Sequence, residues 1–494
     1  MSVKILMVSS EAMPFAKSGG LGDAVSSLAK ALSLLGHDVR ILIPRYYSID
    51  RSSLEQLEGA MGVPVGTEEH WTAIYQSFLP DSEVPVYLLD YEKYFGRSGV
   101  YGSSTREEFA DNPERFALLS AAAFQLCRKI DWIPDIMHAH DWPTSLVPVY
   151  LKTREKAGDF GATASVLTIH NLGYQGIYPK GHFPFFRLDW ELFFEAGFEF
   201  HDAINLLKAG ITTADCLTTV SPSYSREIQT PSQGFCMDGL LRHRSRDLVG
   251  ILNGIDTGMW NPETDEYLPM QYSADDLSGK ALCKRALQES YGLPVDAKTP
   301  LFGMVTRLTE QKGIAEMFGP GYGAAPQVCA NMNVQMAVIG SGDSWCEDEI
   351  RALSLRFPNF KGKIGYDERI AHMIEAGSDF FVMPSRYEPC GLNQMYSLRY
   401  GTLPVVHRTG GLADTVENYS QDTGEGTGFM FDDLTPKALY NTIGWANWAW
   451  YNRQEHIDLM RYKAMTRNFA WEKSASEYTA LYGRAMAKRK SEIK

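Results

Sequence analysis

The chain has no Cys-x-x-Cys pair and no cysteine spacing that suits zinc. Its seven cysteines, Cys127, Cys216, Cys236, Cys283, Cys329, Cys346 and Cys390, are odd in number and scattered. That excludes a disulfide-stapled scaffold and fits a reduced, cytoplasmic compartment. No apolar run is long enough to span a bilayer, and the opening MSVKILMVSSE enters a strand at once instead of building a secretory leader. Basic charge is short: 47 Lys and Arg against 60 Asp and Glu, net −13, which excludes a general nucleic-acid or anionic-membrane binder. There is no G-x-G-x-x-G, so a nicotinamide-dependent oxidoreductase is not supported, and no D-x-D, so a metal-bridged diphosphate is not indicated. Short-period repeats and low-complexity segments are also missing.

What is present is an ordinary globular composition over 494 residues, 44% hydrophobic and 12% aromatic, long enough for two domains. The hydrophobic pattern reads as α/β. Lys4–Ser9 is a first buried strand, and Gly19-Gly20-Leu21-Gly22 opens a helix with Val25, Leu28, Ala29 and Leu32 on one face. Gly36 closes that helix and Val39–Ile43 is the next strand. The glycine turn at the helix N-terminus favours an anion. Lys17 beside it adds a full charge, although a tight turn with a solvated lysine reads equally well. Val86–Asp90, Asp135–His140, Ser165–Ile169, Cys216–Val220 and Asp247–Asn253 continue the strands, and Arg106–Ile130 reads as a helix started or kinked at Asn112-Pro113. His138 and His140 share a strand face, which makes a metal pair conceivable. No third ligand stands nearby, and packing or sugar contact ranks higher. Asp141 and His170, each just past a strand, are the stronger candidates.

The acid- and proline-containing stretch Trp260–Asp276 marks a boundary, after which the pattern restarts with Leu301–Val305, Val334–Ile339, Lys361–Gly365 and Phe380–Met383. The crossover Ile314–Asn331 holds Gly319, Pro320, Gly321, Gly323 and Pro326 and reads as a broken helix. Leu434–Ala464 and Trp471–Lys488 read as helices. The densest stretch is Ser385–Val416. It carries a loop with Arg386, Glu388 and Cys390, a helix from Leu392 to Tyr400 ended by Gly401, a strand Thr402–His407, and the Thr409-Gly410-Gly411 turn. Both loops follow strand ends, where α/β sheets bind ligands. Arg307 and Lys312, read as just past a strand, could hold a diphosphate in place of a metal. Glu388 could accept sugar hydroxyls, or could be a surface partner of Arg386. Cys390 reads as a lining residue, since nothing marks a lowered pKa.

Taken together, SSEAMPFAKSGGLGD (9–23), ADNPERF (110–116), HAHDW (138–142), TIHNLGYQG (168–176), INLLKAGI (204–211), DGLLRHR (238–244), GILNGID (250–256), VTRLTEQKG (305–313) and EPCGLNQMYSLRYGTLPVVHRTGGLADTV (388–416) closely resemble the bacterial glycogen synthases and plant starch synthases. The resemblance spans nearly the whole chain. It implies two Rossmann-like domains facing a cleft, the GT-B fold, with a first domain over 1–250, a second over 251–470 and a last helix, 471–494, returning to the first. It implies glucose transfer from ADP-glucose to the non-reducing end of an α-1,4-glucan, glycogen or starch, with retention and without a cofactor or metal. Retention in this family favours same-face attack assisted by the departing phosphate over a covalent glycosyl-enzyme. Lys17 matches the donor-binding lysine, with Gly20 and Asp23 of its motif also substrate-binding. Arg307 and Lys312 match the diphosphate pair and Glu388 the carboxylate holding the donor glucose. His170 and Asp141 line the reacting sugar, Asn253 is a sugar-side position, and Tyr366 faces the adenine. Cys390 and Thr409–Gly411 complete the binding set.

The departures are Ser18 for the usual threonine, Pro143-Thr144 after HAHDW, Phe95-Gly96-Arg97-Ser98-Gly99 for an aromatic-Asp-Arg-Pro-Gly run, and the broken crossover. Tyr396, where related GT-B enzymes carry a second glutamate, is as in the synthases. The competing readings are a UDP-glucose-dependent transferase and a non-catalytic glucan-binding protein of the same fold.

Overall fold

The computed structural model describes residues 2–104, 107–195 and 197–493. The chain divides into two compact units, Met1–Gly254 with Trp471–Lys494, and Ile255–Ala470.

The first unit is built on a ten-stranded sheet. Its strands are β1 (Lys4–Val8), β2 (Asp38–Pro44), β3 (Glu55–Gln56), β4 (Met61–Val65), β5 (Glu68–Phe78), β6 (Pro85–Asp90), β7 (Ile136–His140), β8 (Ala164–Ile169), β9 (Cys216–Thr219) and β10 (Leu248–Gly250). The order is β10-β9-β8-β7-β1-β2-β6-β5-β3, with β4 also on β5. From β10 to β6 the pairing is parallel, and these strands are mostly buried, as strands of parallel sheets are. The antiparallel extension β3–β5 has no counterpart in the sequence reading. Its signal is present: Met61, Val63 and Val65 alternate with exposed or half-exposed neighbours, and the two-residue turn after Val65 has Gly66 at φ +60°.

Helix α1 (Gly20–Leu34) follows β1, and α2 (Asn112–Lys129) starts at the Asn-Pro signal. The expected helix start at Arg106 lies outside the described residues, and Glu107–Glu108 pair as a short strand instead. The C-terminal helix runs Trp471–Ile493, five residues past the sequence reading, and belongs to this unit. It buries Trp471, Tyr478, Leu481, Tyr482 and Ala485 in the same core as α1 and β8. Thr479 Oγ1 lies 3.0 Å from His37 Nε2, and Ser474 Oγ donates to Leu252 O at 2.5 Å.

The second unit is a six-stranded, all-parallel sheet of β11 (Leu301–Leu308), β12 (Gln335–Gly342), β13 (Phe360–Ile364), β14 (Phe380–Met383), β15 (Leu403–His407) and β16 (Phe429–Phe431), in the order β13-β12-β11-β14-β15-β16. The crossover after β11 is broken, as its glycines require: α3 (Ile314–Phe318) and α4 (Ala324–Asn331) flank a turn in which Gly321 has φ +78°. The Tyr322 ring lies so close to Gly319 that a Cβ there would sit 2.3 Å from it. After α5 (Asn393–Arg399) and α6 (Gly410–Thr415) come α7 (Pro436–Asn452) and α8 (Gln454–Met465). The single helix expected over 434–464 is therefore two, because Arg453 leaves helical geometry at φ −143°, ψ 53°. Tyr396 on α5 packs face to face on Trp260 at 3.8 Å, which makes it part of the core.

Candidate active site

In the second unit three strand-end loops close on one carboxylate. Gly313 has φ +68°, and a Cβ there would lie 1.8 Å from Pro384 O, so only glycine lets the Thr309–Gly313 turn touch the β14 loop. The two loops are tied by Arg386 N–H donating to Gln311 O at 2.8 Å. This contact brings Lys312 Nζ to 2.5 Å from Glu388 Oε2, which also accepts from Ser385 Oγ at 2.9 Å. The Glu388 side chain is 7% exposed and that of Lys312 18%, so the pair is shielded from bulk water.

The third loop seats on the same backbone. Gly411 N–H donates to Glu388 O at 3.0 Å. A Cβ on Gly410 would lie 2.0 Å from Glu388 O, and one on Gly411 would lie 1.8 Å from Cys390 O. Thr409 caps α6 without using its side chain, and Cys390 is buried beneath the turn. His407 Nδ1 lies 2.7 Å from Ser385 O and steadies the loop from β15.

Two expectations are corrected here. Arg386 does not face Glu388; it pairs with Glu316 at 2.7 Å and Glu310 at 3.7 Å, because its side chain points back over α3. Arg307 is not past its strand but on it, since β11 runs on to Leu308 through the register Arg307↔Ser341. Its side chain is exposed and makes no ion pair among the described residues. Tyr366, 70% exposed, stands just past β13 after Gly365.

In the first unit the glycine turn is not an open anion site. Glu11, 2% exposed, takes the N–H groups of Ser18 and Gly19 on Oε2 at 2.5 and 3.3 Å, and the hydroxyls of Ser18 and Tyr101 on Oε1 at 2.8 and 2.6 Å. The N-terminal dipole is thus answered by the protein's own carboxylate. Lys17 is held by Asp23 at 2.8 Å, so two of the expected substrate contacts hold each other. Gly20 is the exposed first residue of α1, and Asn253 is buried at the end of the unit. Glu11 lies within the 9–23 motif, and the signal for its role is a carboxylate between a buried strand and a glycine turn.

At the adjacent strand ends, Asp141 has φ +55°, a strained setting for a non-glycine residue. That conformation turns its Oδ1 onto the main-chain N–H of His170 at 2.6 Å and of Asn171 at 3.3 Å. Burial pushes its carboxyl up to about 7, against the pull of those two N–H groups. Burial lowers His138 and His170 to about 3, with the charge of His170 adding to the effect at His138, so both rings are neutral at neutral pH. His138 and His140 do share a face, with ring centroids 4.1 Å apart. His138 bonds to Tyr482 and Thr168, and no group of three or more His, Cys, Asp or Glu among the described residues could hold a metal ion. Thr144, one of the departures, caps the turn by accepting His140 N–H at 2.7 Å.

Comparison with known proteins places this architecture. Residues 4–243 match the family described as starch synthase catalytic domain, and residues 289–447 match glycosyl transferases group 1. The chain is 57% identical to a glycogen synthase of Treponema denticola over 489 residues, 99% of this chain and 100% of that one. It is 46% identical to glycogen synthase 1 of Geobacter metallireducens, covering 99% of this chain and 97% of the other. Among solved structures, the catalytic domain of starch synthase IV from Arabidopsis thaliana bound to ADP and acarbose superposes with a TM-score of 0.89 at 30% identity, covering 99% and 100% of the two chains.

Proposed function

The chain belongs to the glycogen and starch synthase family of glycosyltransferases, and on that footing we propose that it transfers glucose from ADP-glucose to the non-reducing end of an α-1,4-glucan with retention. The observation that carries the reading is the Lys312–Glu388 pair seated on the Thr409–Gly411 turn. It sets a cation, a carboxylate and a glycine turn at the ends of adjacent parallel strands, where a nucleotide sugar needs them. ADP rather than UDP is favoured by the likeness to a synthase domain solved with ADP.

The roles follow the chemistry. Arg307, Lys312 and the Thr409–Gly411 loop take the diphosphate, with fixed cations doing the work a metal does elsewhere. Glu388 holds the donor glucose, Tyr366 faces the adenine ring and Cys390 lines the site. In the first unit Lys17, Gly20, Asp23, Asn253, Asp141 and His170 supply the remaining substrate contacts. In the reaction, the bond from glucose C1 to the diphosphate breaks, the acceptor O4 bonds to C1 on the same face, and the acceptor's proton passes to the departing phosphate oxygen. All seven cysteines are free thiols, six of them buried, which goes with a cytoplasmic location. Among the described residues no helix is long and apolar enough to cross a membrane.

The test is ADP release from ADP-glucose with and without glycogen, run beside UDP-glucose. Release that depends on glycogen is expected. A higher rate with UDP-glucose overturns the donor assignment, and binding of glycogen with no release overturns the enzyme reading.

A further inference from the structure

The histidines at the end of β7 are left without a task by that reading. His140 is 1% exposed, with Nδ1 3.0 Å from His170 Nε2. Its other ring nitrogen, Nε2, is buried with no hydrogen-bond partner among the described residues. The ring is held in place by His138, whose tilted ring lies 4.1 Å away and is itself held by the Tyr482 hydroxyl at 2.9 Å and the Thr168 hydroxyl at 2.6 Å. The next residue, Asp141, grips the main-chain N–H of His170. Two consecutive residues of one strand end therefore hold His170 at two points, one on the backbone and one on the ring.

We propose that His140 is a positioning residue that locks His170 in the tautomer carrying its proton on Nδ1, so that His170 offers a hydrogen-bond donor to the substrate. The proposal rests on the reading of His170 as a substrate contact.

One proton lies between the two rings, and there are two ways to place it. In the first, His140 Nδ1–H donates to a bare His170 Nε2, and the buried His140 Nε2 is a bare lone pair. In the second, His170 Nε2–H donates to His140 Nδ1, and the proton of His140 sits on its buried Nε2 as an N–H with no acceptor. Buried donors without acceptors are rarer in folded proteins than under-used acceptors. The first arrangement is therefore preferred. A charged form does not intervene, since burial pushes all three rings well below the ordinary histidine range. His170 then carries its proton on Nδ1, which has no protein partner among the described residues and suits a sugar oxygen. The geometry also explains why the pair sits beside the C-terminal helix. Tyr482 backs His138, His138 backs His140, and His140 aims His170.

The experiment uses the full chain with 15N-labelled histidine side chains and two substitutions. His140→Leu keeps most of the volume and removes the bond. His140→Asn keeps an amide N–H close to the position of Nδ1. In the wild type the His170 ring, assigned by its loss in His170→Gln, should show a protonated Nδ1 and an unprotonated Nε2. In His140→Leu it should become a mixture of tautomers, kcat for glucose transfer should fall about 10- to 100-fold, and the donor KM should change less than about threefold. His140→Asn should recover most of both signals. A protonated Nε2 on His170 in the wild type overturns the proposal, and so does a fall in kcat with the tautomer unchanged, or a kcat that does not fall. The ring spectrum is read without turnover, so a chain that transfers no glucose would refute the functional reading and still decide this one.

Discussion

Lys312 Nζ donates to Glu388 Oε2 at 2.5 Å although the two residues are 76 positions apart in the chain. The pair exists because a left-handed glycine, Gly313, lets one loop rest on the carbonyl of Pro384 in another. Each partner satisfies the other while it holds the donor site in shape.

The first prediction concerns that pair. Among the described residues, Lys312→Ala leaves a nearly buried carboxylate with Ser385 as its one remaining side-chain partner. It should cost about 1–3 kcal/mol of stability, the price of an unsatisfied buried polar group, and lower turnover severely while the protein stays folded. Glu388→Gln in the same background should restore part of the stability and none of the turnover. Thermal unfolding and a glucose-transfer assay separate the two. Near-normal turnover in Lys312→Ala would sink the phosphate role.

Glu11 gathers two N–H groups and two hydroxyls in one buried place. Glu11→Gln keeps one acceptor oxygen and turns the other into a donor facing donors. A loss of about 1–3 kcal/mol is expected, with kcat lowered at least about tenfold because the Lys17 loop loses its anchor. Unfolding in denaturant measures the first effect and steady-state kinetics the second. An unchanged Cm would show that the network is slack.

Asp141 gives a pH signature whose sign is fixed by linkage. Its folded pKa of about 7 lies above the ordinary 3.8, so between those values the folded protein holds a proton that the unfolded chain has released. Stability from this group is fully present below about pH 4, falls as pH rises toward 7, and is level above that. Asp141→Asn keeps an acceptor oxygen for His170 N–H and removes the titration. The variant should therefore gain Tm relative to the wild type on going from pH 5 to pH 8. A constant difference between the two pH values would mean that Asp141 is ionised throughout.

Much of the fold was legible in the chain because its information is local. Buried parallel strands are continuous apolar runs, and Gly36 and Gly401, both at positive φ, end helices where the pattern placed them. The broken crossover was legible for the same reason, since five glycines and prolines in eighteen residues cannot form one helix. The antiparallel extension is faint in the chain because half-exposed edge strands leave only a weak alternation in place of a continuous apolar run. The helix break at Arg453 was missed because no glycine or proline marks it.

At the candidate site the residue types were legible and their partners were not. The chain shows that Glu388 stands in a loop beside Arg386, and the nearest cation in sequence was one reading of its partner. The structure pairs it instead with Lys312, because parallel strands bring the loops after β11 and β14 side by side. The glycine turn after Lys17 looked like an open anion site, and only folding shows Glu11 filling it. What the sequence by itself determined is what short-range chemistry dictates: strand, glycine turn, helix, and which residues carry charge. The tertiary structure decided which charges meet. An ion pair or a tautomer depends on atoms a few ångströms apart in space that lie tens of residues apart along the chain.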